Sequence, residues 1–283
     1  MSRNSDRLGL SNKAEAADAP QMFNPLSFTA PTEFVDLPSK GIGYPSGHPL
    51  HGKDCIEIKY MTAKDEDTLS NQSLIKKGVA LERLLENIVV DAKIDPSTLL
   101  IADRNAILIQ ARGTAYGFDY EASVQCPECN TNNTLIFDLR RPTLKHPFQK
   151  EQSIVEIGEN GLFATRLPFS KFKIEFRTAN GIEEAALAQV LINDLKEFRV
   201  TEQYKNMILS IEGHTEQEVI NQFVDNMPLA DSVHLKMCLK FATASIEIKE
   251  KLVCKQCSHE EEVQVPFGTD FFWPNIEVHG RGV

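Results

Sequence analysis

Apolar residues recur at helical spacing in several stretches of the chain and at strand spacing in others. Leu81, Leu84, Leu85, Ile88 and Val89 fall at i, i+3, i+4, i+7 and i+8 and line one face of a helix. Asp103 is placed to cap a second helix running through Ile107, Leu108 and Ala111. Further on, Leu187, Val190, Leu191, Leu195 and Phe198 predict another amphipathic helix. Thr215 and Glu218 read as a capping box opening one more, with Val219, Ile220, Phe223, Val224 and Met227 inward. Alternation in CIEIKYM, residues 55–61, predicts a strand, and FATRLPF and KIEFRTA read the same way. The expected fold class is α+β, with helices lying over short antiparallel strands.

Two stretches lack such periodicity. Residues 1–31 are polar, with Met22, Phe23, Leu26 and Phe28 set among prolines, and read as an arm, either plainly disordered or ordering by laying those side chains on a neighbour. Residues 33–50, EFVDLPSKGIGYPSGHPL, are dense in Gly and Pro, which set tight turns and exclude a long helix, so a structured loop or edge hairpin is expected.

At 283 residues and 42% hydrophobic, the chain can fill the core of one large or two ordinary domains. No apolar run approaches the roughly 20 residues that cross a bilayer, and the N-terminus has no signal-peptide core. A protein kept in the cytoplasm where it is made, with no membrane partner, is the expectation. The formal charge of −10 repels phosphate backbones and no basic patch offsets it, so nucleic acid is not an expected partner.

In a reducing compartment six cysteines point to metal ligation or burial before disulfides. Four occur as two matching units, YEASVQCPECNTNNTLIFDL around Cys126 and Cys129 and IKEKLVCKQCSHEEEVQVPF around Cys254 and Cys257. Each reads as strand, C-x-x-C, strand. A two-residue spacer lets one turn point both sulfurs the same way, so each unit supplies half of a tetrahedron. The expected site is a split zinc-ribbon-like element holding one structural Zn2+ per chain through Cys126, Cys129, Cys254 and Cys257. Because Cys254 follows Cys129 by 125 positions, an inserted region must bring its own ends together. A thioredoxin-like pair would need a helix after the C-x-x-C, and turn residues and a strand follow here instead. An iron–sulfur cluster would also accept four thiolates. The lone Cys55 and Cys238 read as buried thiols, and His259, two places after Cys257, reads as an exposed turn residue with substitution as a ligand the alternative.

Other chemistry fades. Gly41, Gly43 and Gly47 suggest a phosphate loop, but Pro45 removes a donor within it and no Gly-Lys-Ser/Thr follows. The acidic run at 64–67 suits a helix N-terminus, and that at 260–262 a solvated strand edge. No catalytic residue, small-molecule substrate or enzymatic activity is expected.

The linear order of DLPSKGIGYPSGHPL, a strand, MTAKDEDTLSNQSLIKKG, an amphipathic helix, DRNAILIQARGTAYG and YEASVQCPEC resembles the T-even-type bacteriophage baseplate protein family, associated with the hub of contractile tails. The resemblance covers about residues 33–137. It implies a structural or assembly component of the tail baseplate. Such a component would be assembled in the bacterial host cytoplasm, carried in the virion, and partnered by hub, wedge or tube subunits. The chain departs from the family in being long: the second half, with its own C-x-x-C, the N-terminal arm and the tail FWPNIEVHGRGV look like additional docking surface, which favours a retained subunit. The alternative reading is a zinc-ribbon adaptor of transcription or replication. The expected organisation is an arm at 1–31, a baseplate-family α+β region at 32–125, zinc-ribbon halves enclosing an inserted α+β domain at 126–257, and a last strand with C-terminal tail at 258–283.

Overall fold

The strand predicted from CIEIKYM forms as β2 (Cys55–Lys59), antiparallel to β1 (Thr32–Asp36), with Val35 opposite Ile56 and Phe34 opposite Glu57. Pleat alternation sends Val35, Ile56 and Ile58 into the core and leaves Phe34 69% exposed. The computed structural model describes residues 29–147, 154–158, 162–181, 200–265 and 271–272. The arm residues before 29, the helix expected over 187–198 and the tail beyond 272 lie outside the described residues.

The acidic run does sit at a helix start. Thr62 and Asp65 close a reciprocal capping box on α1 (Ala63–Ser70), in which Asp65 Oδ2 accepts from the Thr62 N–H at 2.8 Å. Asn71 ends α1 and caps α2 (Gln72–Lys76), its side chain accepting from the Ser73 and Leu74 N–H groups. The predicted apolar stripe appears on α3 (Ala80–Ile88), with Leu84, Leu85 and Ile88 buried.

After a 3-10 turn (Pro96–Thr98), α4 (Ile101–Tyr116) is buried on nearly every side, which its apolar residues around the whole circumference require. Asp103 does not cap this helix. The chain enters through Leu100, and Asp103 lies in the first turn, fully buried, accepting from the Ser39 N–H at 2.9 Å, the Ser39 hydroxyl at 2.6 Å and the Tyr44 hydroxyl at 2.8 Å. The Gly/Pro-rich segment is thereby a structured loop, as expected, clamped to the start of α4. Gly41, with φ +72°, is held so closely that a Cβ would lie 2.4 Å from the Lys53 nitrogen. At the far end of α4, Arg112 is buried between the rings of Tyr120 and Phe271, donating from Nε to the Phe271 carbonyl at 3.2 Å and from Nη1 to the Gly117 carbonyl.

Two hairpins follow the pattern of the cysteine units. β3 (Asp119–Gln125) pairs with β4 (Asn132–Asp138), and β11 (Lys249–Val253) with β12 (Glu260–Gln264). β5 (Thr143–Lys145) pairs antiparallel with β10 (Ser245–Glu247), which brings together the two ends of the long intervening segment. One apolar cluster joins β1, β2, α3 and α4 to Tyr120, Phe137, Ile248, Phe271 and Phe272.

The segment between β5 and β10 builds a four-stranded antiparallel sheet in the order β6 (Glu156–Ile157), β7 (Phe163–Arg166), β8 (Lys173–Phe176), β9 (Ile208–Ile211). With it go α5 (Val200–Met207), α6 (Gln217–Asp225) and α7 (Leu229–Ala242). Phe163, Ile174, Phe176, Ile208, Ile220 and Leu235 form a second apolar cluster, against which Ile42 of the Gly/Pro loop also packs. The capping box expected at Thr215 is absent. Glu216 is the N-cap of α6 and its side chain makes no capping bond; Ile220 and Val224 face inward while Val219 is exposed. Cys238 is buried, as expected, whereas Cys55 is half-buried.

Candidate metal centre

Each C-x-x-C occupies the turn of its hairpin, and the two turns are built alike. The Cys126 N–H donates to the Thr131 carbonyl at 2.9 Å, and the Cys254 N–H to the His259 carbonyl at 2.9 Å. The Asn130 N–H returns to the Cys126 carbonyl at 2.9 Å, and the Ser258 N–H to the Cys254 carbonyl at 3.0 Å. To close this loop the residue after the second cysteine takes a left-handed conformation, φ 57° at Asn130 and 58° at Ser258. These two turns present their sulfurs to each other.

The four Sγ atoms lie within 4.8 Å of one another, with Cys126 3.7 Å from Cys257 and Cys129 3.5 Å from Cys254. A disulfide requires about 2.05 Å, so these are separate thiols. A tetrahedron with metal–sulfur distances of about 2.3 Å has sulfur–sulfur edges of about 3.8 Å. The two short cross-pairs match that edge, and both join one hairpin to the other, so neither half can complete the set alone.

The surroundings favour thiolate at Cys254 and Cys129. Backbone N–H groups of Cys257 and Gln256 directed at its sulfur bring the Cys254 thiol down to about 6. Cys129 is also lowered, first by the Thr131 hydroxyl 3.3 Å away and then by the Thr131 N–H. At Cys257 the His259 N–H pulls in the same direction, but the sulfurs of Cys129, Cys254 and Cys126, together with burial, prevail and push the thiol up to about 12. Four thiols in one small volume share protons unless a cation replaces them. Four sulfur donors in a tetrahedron suit zinc, and once all four are bound no coordination position remains for water or substrate. Such a centre would join chain segments.

All four cysteines singled out from sequence are brought together. His259 is not; its Nε2 lies 3.3 Å from Glu261 Oε2, and it contributes its backbone to the turn. Glu260, Glu261 and Glu262 are exposed along β12, the strand edge expected of them. Two outer residues went unnoticed in the sequence. Thr131 lies against Cys129, and Asn133, buried in β4, reaches the opposite turn: its Oδ1 accepts from the Lys255 N–H at 2.9 Å and its Nδ2 lies 3.7 Å from Cys254 Sγ. A polar residue in a short strand carries no sign of a partner 121 positions away.

No curated protein and no solved structure matches the chain. A family model, described as T4 bacteriophage base plate protein, matches residues 33–273. That span runs well beyond the segment of resemblance at 33–137 and takes in both C-x-x-C turns and everything between them. The second half is therefore common ground with the family and not an addition to it, as the length of the chain had suggested. With most of its sequence matched, the chain belongs to the T4 bacteriophage base plate protein family.

Proposed function

We propose that this chain is a subunit of a contractile-tail baseplate, associated with its hub, that acts through contacts with neighbouring hub, wedge or tube proteins. Four cysteines, Cys126, Cys129, Cys254 and Cys257, hold one structural zinc per chain. The observation that carries the reading is the family match across residues 33–273, into which the four-sulfur cluster falls whole. The zinc joins the two ends of the 126–257 region, in which the ribbon halves enclose an inserted α+β domain, next to the 32–125 region. Residues 1–31 and 258–283 provide the arm and the last strand with its tail. The protein does no chemistry in this reading; its product is a correctly joined baseplate carried in the virion.

Withholding the chain during infection tests the role directly. Electron microscopy of the lysate is expected to show tails blocked before a complete baseplate forms, with assembly restored by adding the purified protein. Complete, sheathed tails formed without it would overturn the assignment.

A further inference from the structure

The two cysteine turns share their backbone hydrogen bonds and differ in the side chains around them. Four residues after the second cysteine, the first hairpin has Asn133 and the second has Glu261. Glu261 faces solvent, whereas Asn133 is 2% exposed. Both ends of the Asn133 amide are used. Nδ2 donates to the Thr131 carbonyl of its own turn at 2.9 Å and lies 3.7 Å from Cys254 Sγ, while Oδ1 accepts from the Lys255 N–H at 2.9 Å.

We propose that Asn133 is a positioning residue that locks the second cysteine turn onto the metal, making release of the ion slow. The proposal rests on the four cysteines holding zinc, and deepens that reading.

Cys126 and Cys129 ride on a hairpin whose strand residues Tyr120 and Phe137 belong to the first apolar cluster. The second hairpin is rooted in the same cluster at the base of its strands, through Ile248 and Val265, and among the described residues the amide of Asn133 is the hydrogen-bonding side chain that ties its turn to the first, at Lys255 and Cys254. Its chemistry is specific. The site needs an acceptor for the Lys255 N–H and a donor for a thiolate sulfur on one short side chain, and asparagine supplies both. Aspartate keeps the acceptor but sets a negative charge beside the sulfurs. Alanine keeps neither, and leaves the Lys255 N–H without its acceptor. Hydrogen bonds to metal-bound ligands fix their orientation, and losing one typically costs about 10–100-fold in metal affinity. Because the loss loosens one turn of the ligand set while all four cysteines remain, it is expected in the rate at which zinc leaves.

The test compares the parent protein with Asn133→Ala, Asn133→Asp and, as a control, Asn132→Ala at the exposed neighbouring position. Each is loaded with Zn(II) or Co(II). Three quantities are read: metal per chain, the cobalt–thiolate charge-transfer spectrum, and the rate of zinc transfer to excess chelator. Both Asn133 variants are expected to keep one metal and a four-thiolate cobalt spectrum while releasing zinc about 10–100-fold faster than the parent. The control should release it at the parental rate. Should Asn133→Ala fail to fold, the isosteric Asn133→Asp decides. Parental release from a folded Asn133 variant, or equal acceleration in Asn132→Ala, overturns the proposal. A parent that binds neither metal is a different result, which removes the zinc reading itself and this inference with it.

Discussion

Tyr44 and Asp103 meet through a 2.8 Å hydrogen bond spanning 59 residues, and the direction of that bond is set by its neighbours. The Tyr44 oxygen already accepts from the Leu100 N–H at 3.1 Å, so its hydrogen is free for Asp103. The Ser39 oxygen likewise accepts from the Gly41 N–H at 3.0 Å and turns its own hydrogen to the same carboxylate. Burial raises the Asp103 pKa, and the donations from Ser39 and Tyr44 act against that rise. The loop beginning DLPSKGIGYP and the helix beginning IADRN are thus one structural unit.

Tyr44→Phe removes the donor to Asp103 and the acceptor of Leu100 while keeping the ring that stacks on His48 at 4.5 Å. A hydrogen bond to a charged group contributes about 1.5–3 kcal/mol, so urea unfolding should show a loss of that order. A change below about 0.5 kcal/mol, the ordinary range for a surface substitution, would mean that the clamp does not hold the loop.

Gly41 and Gly47 lie in the same loop and should respond differently to alanine. At Gly41 a Cβ would fall 2.4 Å from the Lys53 nitrogen and 2.6 Å from the Leu50 carbonyl oxygen, on backbone that already has positive φ; at Gly47 nothing lies within 4 Å. Gly41→Ala should cost about 2–4 kcal/mol, combining left-handed strain with overpacking. Gly47→Ala should be near neutral. Equal melting temperatures for the two variants would contradict this loop geometry.

Asp231 gives stability a dependence on acid. Burial raises its pKa, but the N–H groups of Phe169, at 2.7 Å, and Ser170, at 3.0 Å, outweigh burial and hold it below the ordinary carboxylate value. A depressed folded-state pKa contributes stability that is present above the unfolded value of about 3.9 and is lost as pH falls through the folded one. Asp231→Asn should therefore be destabilised by about 1–3 kcal/mol at pH 7, with the gap to the parent narrowing below about pH 4. A gap independent of pH would remove the carboxylate from the account.

Zinc and fold should be linked across the inserted segment. Cys126→Ser and Cys254→Ser each remove a ligand from a site that both hairpins must complete, so either substitution should lower zinc content from one per chain and lower the melting temperature. Chelation of the parent should produce the same shift, and neither treatment need unfold the first apolar cluster. If both variants keep zinc and melt like the parent, the shared site is wrong. Iron in place of zinc in the purified protein would change the identity of the centre but not its ligands.

Local rules made part of this architecture legible in the sequence. The stripe over 81–89, the strand in CIEIKYM and the paired strand–C-x-x-C–strand units depend on periodicity and turn chemistry within a few residues, and each forms where expected. Caps were harder. Thr215 was expected to open a helix and does not, because Glu216 takes the N-cap position and packing of Ile220 and Val224 sets the rotation of α6. Asp103 carries the sequence signature of a cap, yet its carboxylate is taken by Ser39 and Tyr44 of a distant loop.

By itself the sequence determined that two cysteine pairs exist, that each lies on a hairpin turn and that their spacing leaves room for an inserted region. Two-residue spacing and flanking alternation are properties of the chain over ten or so residues. Only the tertiary structure decided that the pairs meet, with sulfurs 3.5 and 3.7 Å apart, and that β5 and β10 bring the ends of the insertion side by side. It also decided that Asn133 serves the opposite turn. Those relations join residues about 100 or more positions apart, and such contacts depend on how two apolar clusters and their strands pack, which no local pattern encodes.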